Sequence, residues 1–182
     1  MMRVIAGSAK GMRLAQVPAG IRPLSDRARE GLFSSLGDAV SGALTLDLYA
    51  GSGAIGIEAL SRGAARAIFV DASRSAIRAI RANLERTRFG DRAAVVARDV
   101  LAYLRGSAPD PVHMCFLDPP YASPVEEVEV ALSLLADGWL AGGATVALTR
   151  PTRSSTLVTP VNWHVARRLE YGDSLVILYR EV

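Results

Sequence analysis

The sequence predicts an α/β fold: a mostly parallel, seven-stranded sheet with helices on both faces. Three observations lead there. Short apolar runs alternate with helical stretches from about residue 44 to residue 149. A glycine turn, Gly51-Ser52-Gly53, follows the first run directly, as where a strand passes into a helix. Two last extended runs flank Gly172-Asp173 and read as a closing antiparallel pair.

The elements follow in order. Residues 2–16 read as a short β-hairpin, turning near Gly7-Ser8 or Lys10-Gly11. Ser25 can cap a helix to about Leu36, with Ala28, Leu32, Phe33 and Leu36 inward. Strand 44–49 leads into helix 54–62, and strand 65–70 into helix 75–86. Ile77, Ile80 and Leu84 form the apolar stripe of that second helix, with Arg74, Arg78 and Arg81 elsewhere on its surface. Strand 93–97 precedes a short helix at 101–105, and strand 112–117 is largely apolar. Ser123-Pro124-Val125-Glu126 resembles a capping box with proline at the first helical position, for a helix that buries Val128, Leu132 and Leu135. Gly142-Gly143 precedes strand 144–149, and strands 161–171 and 174–179 close the chain. The expected organisation is one domain over 1–182, a basic extension (1–36) on a core (44–182).

Half of the 182 residues are hydrophobic and 21% are charged, which is the composition of a globular protein. The one cysteine, Cys115, excludes an internal disulfide. The apolar start is too short for a signal peptide, and no apolar run approaches the ~18 residues of a membrane span. A soluble, cytoplasmic monomer is expected. Net charge is +3, but residues 1–36 carry six basic groups against Asp26 and Glu30, hence +4. A basic arm on a balanced body suggests an anionic partner. Arg22, Arg27 and Arg29 flank the start of the first helix and are the candidate phosphate contacts. The competing reading is an arginine-biased surface, since Lys10 is the only lysine. No Cys/His/Asp spacing suggests a metal site. His113, within the fourth strand, reads as packed rather than catalytic.

In open parallel sheets ligands sit beyond the carboxyl ends of the strands. Gly51, Gly53 and Gly56 match G-x-G-x-x-G at such an end, which suits a dinucleotide as well as other ribose-containing cofactors. Asp47 tips the balance. A pyrophosphate is repelled by a nearby carboxylate, whereas S-adenosylmethionine brings an ammonium and a sulfonium that an acid attracts. Asp71, ending the second strand, can accept from ribose hydroxyls. Asp99, after the third, can accept from an adenine amino group, with the Val100 backbone serving the ring nitrogen. Each acid could instead cap a turn or helix; three at successive strand ends beside a glycine loop are harder to assign that way.

The most specific signal is Asp118-Pro119-Pro120-Tyr121, after the fourth strand. Consecutive prolines fix φ and remove two backbone donors, so the segment presents acceptors. A base amino nitrogen is a poor nucleophile because its lone pair is delocalised. The Asp118 carboxylate and Pro119 carbonyl can grip its N–H groups and free that pair, while Tyr121 stacks on the base. Asp118 also offsets positive charge developing on nitrogen.

The body resembles Rossmann-like class I methyltransferases, and the Asp-Pro-Pro-Tyr turn resembles their amino-methylating branch. The likeness extends to Arg3-Val4-Ile5-Ala6-Gly7, to Arg22 through Glu30, and to Asp47 through Ala64. Together these resemble the RsmD family, bacterial methyltransferases of guanine N2 in small-subunit ribosomal RNA. The resemblance implies S-adenosylmethionine as donor, with Gly51 and Gly53 at its methionine end, Asp71 at ribose and Asp99 at adenine. It also implies Asp118, Pro119, Pro120 and Tyr121 at the target amine, and ribosomal RNA or the small subunit as partner. The alternatives are methylation of adenine N6 or cytosine N4, a non-catalytic RNA-binding protein, and a nicotinamide-dependent oxidoreductase that leaves the Asp-Pro-Pro-Tyr turn unused.

Overall fold

A computed structural model describes residues 2–16 and 23–181. Its sheet has seven strands: β1 (Leu44–Leu48), β2 (Arg66–Asp71), β3 (Ala93–Ala97), β4 (Val112–Leu117), β5 (Leu140–Pro151), β6 (Trp163–Tyr171) and β7 (Ser174–Glu181). Their spatial order is β3-β2-β1-β4-β5-β7-β6. The first five run parallel, and β7 pairs antiparallel with both β5 and β6. Sequence order therefore reverses between β1 and β4, which lie side by side with Leu48 opposite Leu117. A crevice opens at such a reversal.

Side-chain alternation builds two cores, one per face. Phe69, Met114, Phe116, Ala147, Val176 and Leu178 face helices α1 (Asp26–Leu36), α2 (Ala54–Ser61) and α3 (Arg74–Thr87). Their neighbours Ile68, Val70, Cys115, Leu117, Val146 and Ile177 face α4 (Val100–Leu104) and α5 (Val125–Ala136). Ser25 caps α1 by accepting from Ala28 N, and Ser73 caps α3 by accepting from Ala76 N. No helix among the described residues is long and apolar enough to cross a membrane.

Four local expectations change. The Ser123–Glu126 capping box does not form; α5 starts after Pro124 with no side-chain cap, because Ser123 N donates to Pro120 O at 2.8 Å in the preceding turn. Gly142-Gly143 lies inside β5, where a register irregularity opposite Val112/Met114 absorbs the positive φ of Gly143. His113 is exposed rather than packed, and its Nδ1 accepts from Leu44 N at 3.1 Å. Residues 2–16 double back through one antiparallel bridge, Arg3 to Arg13, rather than through two strands.

Other backbone donors of the arm go to the body. Ile5 N and Ala6 N donate to the two carboxylate oxygens of Glu58 at 2.8 and 3.0 Å. Ala9 N donates to Ser61 Oγ, and Ala15 N to Asn83 Oδ1. Glu58, Ser61 and Asn83 are buried polar groups on α2 and α3, so they need these partners as much as the arm does. A Cβ on Gly7 would lie 1.9 Å from Ser61 O, which shows how closely the arm seats on α2.

Glu58 also accepts from Arg62 Nε at 2.7 Å. Glu58→Ala strands two backbone donors and that guanidinium together, so it should lower stability by about 2–4 kcal/mol. Urea unfolding checks this; a loss below about 1 kcal/mol would mean the arm is not held through Glu58.

Candidate active site

Asp47 is the last but one residue of β1, is 1% exposed, and accepts from Gly56 N at 2.9 Å. The chain between them turns from strand to helix through Tyr49 (φ 59°), Gly51 (φ 57°) and Gly53 (φ 76°). The left-handed conformation favours glycine at the last two and is unusual for Tyr49. Gly56 has a packing reason as well: a Cβ there would lie 2.4 Å from the Phe69 ring.

Asp71 ends β2, the strand beside β1. Its Oδ2 accepts from Gly51 N at 2.9 Å and its Oδ1 from Ser73 N at 2.8 Å, so it ties the glycine loop to the start of α3. Asp99 ends the β3 connection, is exposed, and caps α4 by accepting from Ala102 N at 2.9 Å. Val100, buried, begins that helix, where the first backbone N–H groups have no intrahelical acceptor.

Asp118 follows β4, next to the glycine loop across the β1–β4 pair, and its backbone N donates to Leu48 O at 3.4 Å. Pro119 is buried and Pro120 exposed; the Pro120 carbonyl closes the turn by accepting from Ser123 N. The Tyr121 ring is 41% exposed, and its hydroxyl is 2.6 Å from Ser174 Oγ on β7. The ring thus offers an open face while its far end is held, as a stacking platform requires.

Gly51, Ser52, Asp47, Tyr49 and Asp118 line one cleft. Its electrostatics are those of crowded acids. Burial pushes Asp47 well above the usual carboxylate range against the opposing Gly56 N–H, and the charges of Asp118 and Asp71 push the same way. Burial likewise lifts Asp118 to about 7, with a hydrogen bond from Thr149 opposing it. Tyr49 rises to about 12 through burial and the charges of Asp99 and Glu127. A cation in the cleft relieves the cost at both carboxylates.

The three arginines separate. Arg22 lies outside the described residues. Arg27 is exposed on the first turn of α1. Arg29, expected at the surface, is 0% exposed. Its Nη2 donates to Arg3 O at 2.8 Å and to Asp26 Oδ1 at 2.6 Å, and its side chain lines the cleft. The helical period that turns Ala28, Leu32 and Phe33 inward turns Arg29 inward too, so it does not present a surface charge. Sequence reasoning also missed Thr149 on Asp118, Ser174 on Tyr121, and Arg150 and Arg153, which border a hollow beside Tyr121. Thr149 lies near the carboxyl end of β5, where the strand-end rule could have found it; the others depend on tertiary placement.

Asp118 yields a stability prediction. Its folded value, about 7, exceeds the unfolded value of about 3.9, so folding binds its proton more tightly and stability is lost as pH rises between the two. Relative to wild type, Asp118→Asn should therefore gain melting temperature from about pH 4 to about pH 8. A difference that stays constant with pH contradicts the shift.

Comparison with known proteins places this geometry. The family model described as conserved hypothetical protein 95 matches residues 2–180. The chain is 35% identical over 182 residues to ribosomal RNA small subunit methyltransferase D of Escherichia coli, covering 98% of this chain and 89% of that one. Against the protein of the same name from Haemophilus influenzae it is 30% identical over 182 residues, covering 98% and 92%. The solved structure of yhhF from Escherichia coli superposes with a TM-score of 0.89 at 34% identity, covering 99% and 97% of the two chains. A solved structure from Thermus thermophilus gives 0.79 at 33% identity, covering 98% of each. With its whole described length shared in sequence and in fold, the chain belongs to the conserved hypothetical protein 95 family, that of ribosomal RNA small subunit methyltransferase D.

Proposed function

We propose that this protein is an S-adenosylmethionine-dependent methyltransferase of the exocyclic N2 amino group of a guanine in small-subunit ribosomal RNA. The observation that carries the reading is the meeting of the Asp118 turn and the Gly51 loop in one acid-lined cleft at the β1–β4 switch point. The choice of guanine N2 over adenine N6 or cytosine N4 rests on family membership. The same reading makes the chain a monomeric cytoplasmic enzyme of one domain, the 1–36 arm on the 44–182 core.

The residues present fit the donor. Gly51 and Gly53 give close backbone approach at its methionine end, Asp47 and Asp118 offer negative charge to its ammonium and sulfonium, and Asp71 can serve its ribose. Among the described residues Asp99 is engaged through Oδ1 alone, so its other oxygen can accept from adenine beside the Val100 N–H. Bound there, the donor supplies a methyl group on a positively charged sulfur.

The chain's own groups handle the amine. Asp118 and the Pro119 carbonyl accept its N–H groups and draw the nitrogen lone pair out of conjugation. Pro119 and Pro120 keep that pair of acceptors from rearranging. Tyr121, held by Ser174, stacks on the base. Once nitrogen is alkylated it must lose a proton, and the Asp118 carboxylate, with its value near 7, is suited to take it.

Asp118→Ala should abolish most turnover while weakening donor binding far less, because Asp47, Asp71 and the glycine loop still hold the donor. Retention of more than about a tenth of the rate, a loss under ~1.4 kcal/mol of transition-state stabilisation, would remove Asp118 from the amine site.

Substrate RNA is held, in this reading, by exposed cations, Arg27 on α1 and Arg153 beside Tyr121; Arg22, outside the described residues, is a further candidate. Phosphate contacts supply salt-dependent affinity and little base choice. Arg27→Gln should raise KM for RNA and flatten the salt dependence by about 0.7–0.9 in slope, with the modified base unchanged. A lowered melting temperature with an unaltered slope would instead make Arg27 structural.

A further inference from the structure

We propose that Arg29 binds the carboxylate of the donor's amino-acid end, which makes α1 part of the cofactor site. The proposal rests on the reading of the cleft as the S-adenosylmethionine site.

Arg29 is a wholly buried cation with unfinished hydrogen bonding. Nη2 is satisfied by Arg3 O and Asp26 Oδ1. Nε and Nη1 are buried and have no partner among the described residues. Buried guanidinium N–H groups are costly to leave unpaired, and native proteins rarely do so without a reason. Arg29 borders the cleft, so a ligand seated there can bring an acceptor to Nε and Nη1.

The charges lining the cleft define that acceptor. Among the described residues that line it, Arg29 is the only cation, and Asp47 and Asp118 are the only acids. A site with acids and one guanidinium suits a zwitterion: the acids face an ammonium, and the arginine faces a carboxylate. The amino-acid end of the methyl donor is such a group. An RNA phosphate fits less well, because it brings no ammonium for Asp47 and Asp118 to face. Asp26 does not meet the need by itself, since it engages Nη2 and leaves the other two nitrogens free.

Calorimetry on the full chain with two ligands isolates the contact. S-adenosylmethionine and its decarboxylated form share the sulfonium and the ammonium and differ in the carboxylate. Wild type should bind the intact donor about ten- to a hundred-fold more tightly. In Arg29→Met the affinity for the decarboxylated form should hold and that for the intact donor should fall until the two match. Arg29→Lys keeps a charge for Asp26 without the Nε and Nη1 donors. It should show most of the same collapse, and it decides the question if the methionine variant does not fold. Equal binding of both ligands by wild type, or an unchanged ratio in the variants, overturns the proposal. Weaker RNA affinity with that ratio intact moves Arg29 to the substrate side. A wild type that binds neither ligand refutes the cofactor reading itself, a different result from equal binding of both.

Discussion

The hydrogen bond from Gly56 N to the buried Asp47 carboxylate fixes the geometry from which the site is built. It joins the end of β1 to the first turn of α2 and leaves the intervening residues one way to turn. An anion near a helix N-terminus is favourable, and the desolvation it suffers here is offset in part by that N–H. The bond requires the helix to approach the sheet closely. Gly56 permits that, since any side chain would meet Phe69. Loop shape, helix direction and the place of Gly51 all follow from this pairing.

The acids around it form a system under strain of charge. Asp47 and Asp118 both rise through desolvation, and the charges of Asp118 and Asp71 bear on Asp47. Such crowding costs folding stability when the cleft holds no cation, and a positively charged ligand turns it into binding energy. Asp71 shows the other use of a strand-end acid, since both its oxygens hold backbone N–H groups of the walls. An acid can shape a site and still offer lone pairs to a ligand, so capping and binding are not exclusive readings.

The N-terminal arm illustrates how charge in sequence and charge in space diverge. Its surplus of six basic residues over two acids is real in composition. Arg29, however, is sealed inside and paired with Asp26, and Arg3 lies 3.8 Å from that same carboxylate. Lys10, Arg13 and Arg27 stay exposed. The arm therefore divides its cations between holding the fold and facing solvent, and its docking onto Glu58, Ser61 and Asn83 brings α1 to the wall of the cleft.

The alternation of strands and helices is legible in the sequence, because periods of two and of about 3.6 residues are local properties of the chain. So are the glycine loop, the strand-end acids and the Asp-Pro-Pro-Tyr turn, whose backbone behaviour is set by residue type. Capping at Ser25 was legible for the same reason; capping at Ser123 was not, because the neighbouring proline turn takes its backbone N–H. That Asp47 and Asp118 share a cleft was settled by long-range packing. That follows from β4 inserting beside β1, a long-range pairing with no local signature. Such packing likewise decided that Arg29 is buried beside the cleft, that Ser174 holds Tyr121 and that Thr149 reaches Asp118. Those contacts join elements far apart in the chain, and packing of the sheet and its helices alone brings them together.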